Sequence, residues 1–273
     1  MKKITLAILF IATSTLASAQ WQTLEPGLEL GRFQSPAYSN NSDFDGAYNW
    51  SPRSATINVL RIDTSRYELV LMNASHPNQN RLLTARAWAE KEGLTATINA
   101  AMYQADYLTS VSLMRTSGHI NNARKSKDKT ILLFEPLTKG IPAARIVDAQ
   151  CDDFDNAVRQ YGSAVQSIRM LSCDGKNVWK QDTRRWSIAA VGVDKDGRLL
   201  FIQCTAPHSV HEFTNILQGL PISIDRAMYM EGGSPSQMYI RTAKGKHEFT
   251  GTAGGRPVSA MSIPNVLGIR LRK

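Results

Sequence analysis

Two strand–turn–strand patterns constrain this chain before anything else does. Ile57-Asn58-Val59-Leu60-Arg61-Ile62 and Tyr67-Glu68-Leu69-Val70-Leu71 flank the turn-like Asp63-Thr64-Ser65-Arg66. Further on, residues 187–193 and 198–205 flank Asp194-Lys195-Asp196-Gly197. Aliphatic and β-branched runs of this length, broken by Asp, Ser and Gly, read as hairpins. Residues 111–115, 130–134 and 266–271 add further strands. Leu94, Ala96 and Ile98 alternate with Thr95, Thr97 and Asn99, which predicts a strand with one apolar and one polar face. Helical signals are fewer. Residues 81–92 are rich in Ala, Leu, Arg and Glu and stop at Gly93; residues 152–161 open on acids and carry an apolar stripe. Ser209 and Glu212 form a capping box that opens a helix through about residue 218. Many strands with a few helices, not in strict alternation, predict an α+β fold: a single domain with a strand-rich mixed sheet and a few packed helices.

The ends and the charge set the setting. Lys2 and Lys3 precede an apolar run, Ile4 to Leu16, and Ala17-Ser18-Ala19 follows as a small-residue cleavage site. This predicts a signal peptide over 1–19, then an irregular lead-in over 20–54 rich in Pro, Ser, Asn and Asp, then one domain over 55–273. The apolar run is short for a bilayer span, so the mature protein is expected to be periplasmic or secreted, without a stable membrane anchor. Loss of Lys2 and Lys3 leaves 30 basic against 23 acidic residues, a net charge of +7. That balance favours an anionic partner, and here an anionic or phosphorylated glycan is expected. Export and the absence of a nucleic-acid module argue against nucleic acid. Three cysteines in an oxidising compartment predict one disulfide and one leftover thiol. All three pairings are open; Cys151–Cys173, which closes a modest loop around a predicted helix, is favoured.

The chemistry concentrates at residues 227–240. Two apolar runs, 227–230 and 237–240, flank Glu231-Gly232-Gly233-Ser234-Pro235-Ser236. An acid at a strand end, two glycines and two hydroxyls make either a binding loop on a rigid scaffold or a tight turn whose glycines serve geometry alone. No zinc spacing, Ser-His-Asp constellation, G-x-S-x-G elbow or phosphate loop is present, and no metal ligand set is predicted. No cofactor is expected. A divalent cation at Glu231 with a nearby acid such as Asp106 is the one alternative.

The motifs choose between these readings. Tyr229-Met230-Glu231-Gly232-Gly233-Ser234-Pro235-Ser236-Gln237-Met238-Tyr239 resembles the L-D-G-G-G-S-S-x-M signature of the phosphodiester glycosidase family. Asn99-Ala100-Ala101-Met102-Tyr103 is similar to its N-A-G-M-F. Ala164-Val165-Gln166-Ser167, followed by Asp174-Gly175-Lys176, is similar to its A-x-Q-S-G-P and D-G-K. Order and spacing agree over residues 55–271. The resemblance implies hydrolysis of a sugar–phosphodiester bond in an envelope or extracellular glycan, leaving a phosphate monoester. It implies Glu231 and Asn99 as catalytic residues. Gly232 and Gly233, through backbone N–H groups, with Ser234, Ser236 and Gln166, would hold substrate oxygens, and Tyr103 would offer a stacking face. Arg115, Arg169, Arg184 and Arg185 would be phosphate contacts, Arg115 and Arg185 foremost. The chain departs from the pattern in carrying Glu231 for Asp, Ala100 and Ala101 where glycine is common, Ile168-Arg169 for Gly-Pro, and Pro235 between the serines. A non-catalytic periplasmic module that binds a glycan or a protein with the same loop is therefore the alternative.

Overall fold

A computed structural model of the chain describes residues 20–35, 56–253 and 256–272. The predicted leader, and the lead-in beyond residue 35, lie outside these residues. In chain order the first strands are β1 (Gln20–Glu25), β2 (Leu28–Gln34), β3 (Thr56–Ile62) and β4 (Tyr67–Asn73), followed by helix α1 (Ala85–Glu92). Next come β5 (Ala96–Asn99), β6 (Met114–Thr116), β7 (His119–Asn122), β8 (Thr130–Pro136), β9 (Ala144–Asp148) and helix α2 (Phe154–Arg159). The chain continues through β10 (Tyr161–Arg169), β11 (Trp186–Asp194), β12 (Leu199–His208) and helix α3 (Val210–Gly219). It closes with β13 (Ile224–Gly232), β14 (Met238–Thr242), β15 (Gly245–Phe249), β16 (Thr252–Ala253), β17 (Arg256–Pro257) and β18 (Asn265–Leu271).

The α+β class holds, and every ladder among the described residues is antiparallel where a mixed sheet was expected. A large sheet runs β1-β2-β3-β12-β11-β13-β10-β6-β7, with β8 and β9 branching from β10; a smaller one runs β15-β14-β5-β18-β4. The two sheets share a core in which Leu30, Leu60, Val191, Phe201 and Met228 of the large sheet meet Ala96, Ile98, Ile240, Leu267 and Ile269 of the small one. Helix α3 covers the outer face of the large sheet through Val210, Phe213 and Leu217. Helix α1 covers the small sheet with Trp88 and Ala89, beside Tyr239 and Val266. The helix starts four residues later than residue 81, where the sequence predicts it: Thr84 is its N-cap and accepts from the Ala87 N–H at 3.1 Å, while Gly93 closes it as expected, with φ +66°. The Ser209–Glu212 capping box of α3 is formed in full.

Two sequence expectations are corrected. Residues 20–34 are not irregular: β1 and β2 form a hairpin at the edge of the large sheet. That hairpin displaces the other one, because β2 pairs β3 along its whole length and the Asp63 N–H donates to the Gly27 carbonyl at 2.9 Å. With its edge taken, β3 cannot pair β4. The Asp63–Arg66 turn instead carries the chain from one sheet to the other, where β4 pairs β18. Period-two alternation reports a strand but not its neighbour. The 194–197 turn does join a hairpin, β11–β12, with Gly197 at φ +79°. Strand β5 lies between β14 and β18 under α1, so its polar face is buried too, and the Thr97 hydroxyl donates to the Ala85 carbonyl at 2.7 Å.

Candidate active site

The site forms where the chain crosses from the large sheet to the small one a second time. β13 ends at Gly232 in the large sheet, and after five intervening residues β14 begins in the small one, beside β5. The 233–237 segment therefore passes the end of β5, and Asn99 meets it there. The Asn99 N–H donates to the Gln237 carbonyl at 3.2 Å, and its side-chain Oδ1 accepts from the Gln237 N–H at 3.3 Å. The remaining amide donor, Nδ2, is buried without a partner, as is the hydroxyl of Ser236. Buried polar atoms are nearly always hydrogen-bonded, so two unpartnered ones at one loop mark a place for a ligand or water.

Glu231 precedes the loop on β13, two residues after Tyr229. Burial drives its carboxyl from the ordinary 4.5 up to about 7, opposed by one bond from the Gly232 N–H to Oε1 at 2.9 Å. The effect reaches its neighbours. Burial and then the Glu231 charge raise the pKa of the Tyr103 hydroxyl, and the same two causes raise that of Tyr229. Tyr103 and Tyr107 face each other with ring centres 5.7 Å apart, and Trp179 lies 5.6 Å from Tyr229. A carboxyl that stays protonated near neutral pH among aromatic rings can donate a proton to a leaving oxygen and take one back.

The glycines are required by packing and by conformation. A Cβ on Gly232 would stand 2.0 Å from the Trp186 ring and 2.5 Å from the Tyr229 hydroxyl, and Gly233 has φ +69°. Their expected role as donors to substrate is corrected, because both N–H groups are engaged within the chain. Gly232 donates to Glu231 and Gly233 to the Ser187 carbonyl at 2.8 Å. Ser234 is partly buried on the same loop.

Several other expected contacts serve the fold instead. The Gln166 amide makes four bonds, accepting from the N–H groups of Leu113 and Ser126 and donating to the carbonyls of Ser126 and Asp128. All its hydrogen-bonding capacity fixes that loop. Arg115 donates to the carbonyls of Val158 and Tyr161 at 2.9 and 2.8 Å. Arg185 is paired in fork fashion with Glu212, and Arg169 donates through Nη1 to both carboxylate oxygens of the fully buried Asp148. Arg184 is held by Asp182 and lies with its guanidinium carbon 5.8 Å from the centre of the Trp186 ring, at the rim of the site. Asp106 accepts from the N–H groups of Leu108 and Thr109 and from the Thr109 hydroxyl, which fixes its carboxylate within its own turn. The one group of potential metal ligands among the described residues, Asp148, Cys151 and Cys173, is closed by its disulfide. His208 and His211 make no metal pair: His208 meets Ser35 at 2.5 Å and His211 the Trp179 carbonyl at 2.5 Å.

The alanines that replace glycine differ in consequence. Ala101 sits at φ +52°, in the left-handed region, whereas Ala100 does not. Release of left-handed strain, about 1 kcal/mol, should offset the loss of one buried methyl, about 0.8 kcal/mol, so Ala101→Gly is expected to be near neutral. Ala100→Gly, with no strain to release, should cost about 1.5 kcal/mol. Urea titrations of the two variants check this, and equal losses would refute it.

Sequence reasoning missed Trp186, Ser187, Gly251 and Thr252, which pack on the two glycines. The pairing of β11 with β13 brings Trp186 and Ser187 there, and no local pattern reports it. Tyr229 and Glu231 stand two apart on β13, but the register shifts between Ala189 and Ala190, their partners on β11, so alternation alone does not place Tyr229 at the site.

The phosphodiester glycosidase profile matches residues 92–270. In fold, the chain is similar to the zebrafish N-acetylglucosamine-1-phosphodiester alpha-N-acetylglucosaminidase catalytic domain auto-inhibited by pro-peptide. The TM-score is 0.62 at 12% identity, covering 93% of this chain and 87% of that one. It is similar also to a hypothetical protein from Synechocystis, with TM-score 0.58 and 10% identity over 93% of this chain and 64% of that one. No curated protein matches by sequence. At these identities the structural likeness speaks for the fold, and the profile, matching well over half the chain, speaks for descent. The chain belongs to the phosphodiester glycosidase family.

Proposed function

We propose that this protein is an exported hydrolase of the phosphodiester glycosidase type, cleaving the bond between a sugar and a phosphodiester in an envelope or extracellular glycan. The observation that carries the reading is Glu231: a carboxyl raised to about 7 by burial, at the mouth of a loop with two unpartnered buried polar groups. Water adds to the anomeric carbon while the carbon–oxygen bond to phosphate breaks, and the electron pair leaves on the phosphate oxygen. Glu231 gives its proton to that oxygen and then receives one from the water, which leaves a free sugar and a phosphate monoester. Phosphate is a good leaving group, so stabilising the separating charge matters as much as the proton. Asn99 Nδ2 and Ser236 Oγ are the donors placed for that task, with Ser234 beside them and Tyr103 as an apolar face for the sugar. Export is supported by the N-terminal charge-and-apolar pattern and by the Cys151–Cys173 disulfide. Among the described residues no helix is long and apolar enough to cross a membrane.

One observation favours the rival reading, a module that binds a glycan or protein without turnover. Arg115, Arg169 and Arg185 are all engaged internally, which leaves Arg184, paired with Asp182 at the rim, as the one cation of the four expected that stands near the site. The test is sugar release from a panel of sugar-1-phosphodiesters by the mature protein, with and without chelator. Release is the expected result, and its loss with chelator would bring a divalent cation into the reaction. A folded protein that releases nothing but retains affinity for the same compounds would establish the binding module.

A further inference from the structure

The two glycines of the loop are gripped by two consecutive residues of β11. The Trp186 ring packs on Gly232, and Ser187 meets Gly233. The Ser187 carbonyl accepts from the Gly233 N–H at 2.8 Å, and the Ser187 hydroxyl donates to the Gly233 carbonyl at 2.9 Å. The same hydroxyl accepts from the Thr252 N–H at 2.9 Å. Gly251 closes the contact from behind, since a Cβ there would stand 1.9 Å from the Gly233 carbonyl oxygen. The Ser187 side chain is fully buried, and its one donor and one of its acceptor positions are both engaged at this junction.

We propose that Ser187 is a positioning residue for the Glu231 loop, clamping both backbone polar groups of Gly233 so that the carboxyl two residues upstream stays facing the sheltered site. Gly232 supplies the one N–H bonded to the Glu231 carboxyl, and glycine backbone is free to rotate unless something holds it. The clamp on Gly233 fixes the peptide that follows Gly232, and the Trp186 ring blocks Gly232 itself. Without the hydroxyl, the Gly233 carbonyl keeps only the Ser236 N–H, and the Thr252 N–H is left without its acceptor. The loop should then open towards water and the carboxyl with it. Supporting shells of this kind decide whether a catalytic group is held to the needed fraction of an ångström.

The inference rests on the reading of Glu231 as the acid of the site, and its test does not need turnover. The Glu231 carboxyl is titrated by carbon-13 NMR in protein labelled at glutamate, with Glu231→Gln assigning the signal. Ser187→Ala is expected to lower the midpoint by about one pH unit or more, because solvation restores the charged form. Thr84→Ala, which removes the cap of α1 on the far side of the small sheet, is expected to leave the midpoint unchanged while costing comparable stability. Ser187→Cys, close in volume and a weaker donor, is expected to fall between and serves if the alanine variant does not fold. A midpoint unmoved in a folded Ser187 variant, or moved as much by Thr84→Ala, overturns the clamp. A wild-type protein that cleaves nothing yet shows the shift would count against the hydrolase reading alone.

Discussion

Glu231→Gln is expected to lower sugar release by about 100-fold or more and, in the same protein, to raise stability at alkaline pH. The two effects share one cause. A carboxyl raised from 4.5 to about 7 binds its proton more tightly in the folded than in the unfolded chain. Between those values the folded state holds the extra proton, so the contribution of Glu231 to stability is intact below pH 4.5 and is lost as pH rises towards 7. Above 7 the folded protein carries a buried charge that costs at most about 3 kcal/mol. Glutamine has no such charge. Thermal unfolding of parent and variant should therefore coincide near pH 4 and separate by pH 8, with the variant higher. Cleavage by the parent should decline above about pH 7 as the acid ionises. A stability difference that stays flat across this range would remove the buried carboxyl from the account, and full activity in the variant would remove it from the chemistry.

Part of the candidate site was legible in the sequence. The acid, the glycines and the hydroxyls stand together in the chain, so Glu231, Ser234 and Ser236 could be named from one stretch. Asn99 could be named from a second motif, although only the β5–β14 pairing explains why the two meet. Many of the strands from residue 57 onward, the closing glycine of α1 and the capping box of α3 follow from alternation and capping residues. What alternation cannot carry is partner choice, which is why the 57–71 hairpin dissolved into two sheets and why residues 20–34, read as irregular, formed a sheet edge. The arginines show the same limit in electrostatic form. A guanidinium is an equally good partner for a phosphate, a carboxylate or a carbonyl, and Glu212, Asp148 and the Val158 carbonyl reached Arg185, Arg169 and Arg115 first. Gln166 failed for a related reason, since a buried amide must satisfy four bonds and did so with backbone.

Replacement of Cys151 and Cys173 by serine is expected to cost about 3 kcal/mol, the loop-closure entropy for a bridge of this span. The bridge joins residues 22 apart, linking the turn after β9 to the turn after β10. Its loss should not unfold the protein, because Arg169 and the buried Asp148 tie the same two segments at 2.9 Å. Nor should it disorganise the site at low temperature: the Trp179 indole still donates to the Arg169 carbonyl at 2.8 Å, which keeps that ring against Tyr229. The two ties are coupled, so Arg169→Met should cost more in the serine variant than in the parent, where the bridge holds the segments regardless. The third thiol stands apart from this. Burial pushes Cys204 up to about 12, so almost none of it is thiolate near neutral pH, and it cannot attack the bridge. Urea titration with and without reductant measures the first claim, and mild alkylation of the reduced, folded protein measures the second. Alkylation of Cys151 and Cys173 with Cys204 untouched is expected. Equal stability without the bridge, or Cys204 labelled as fast as the other two, would refute the respective claim.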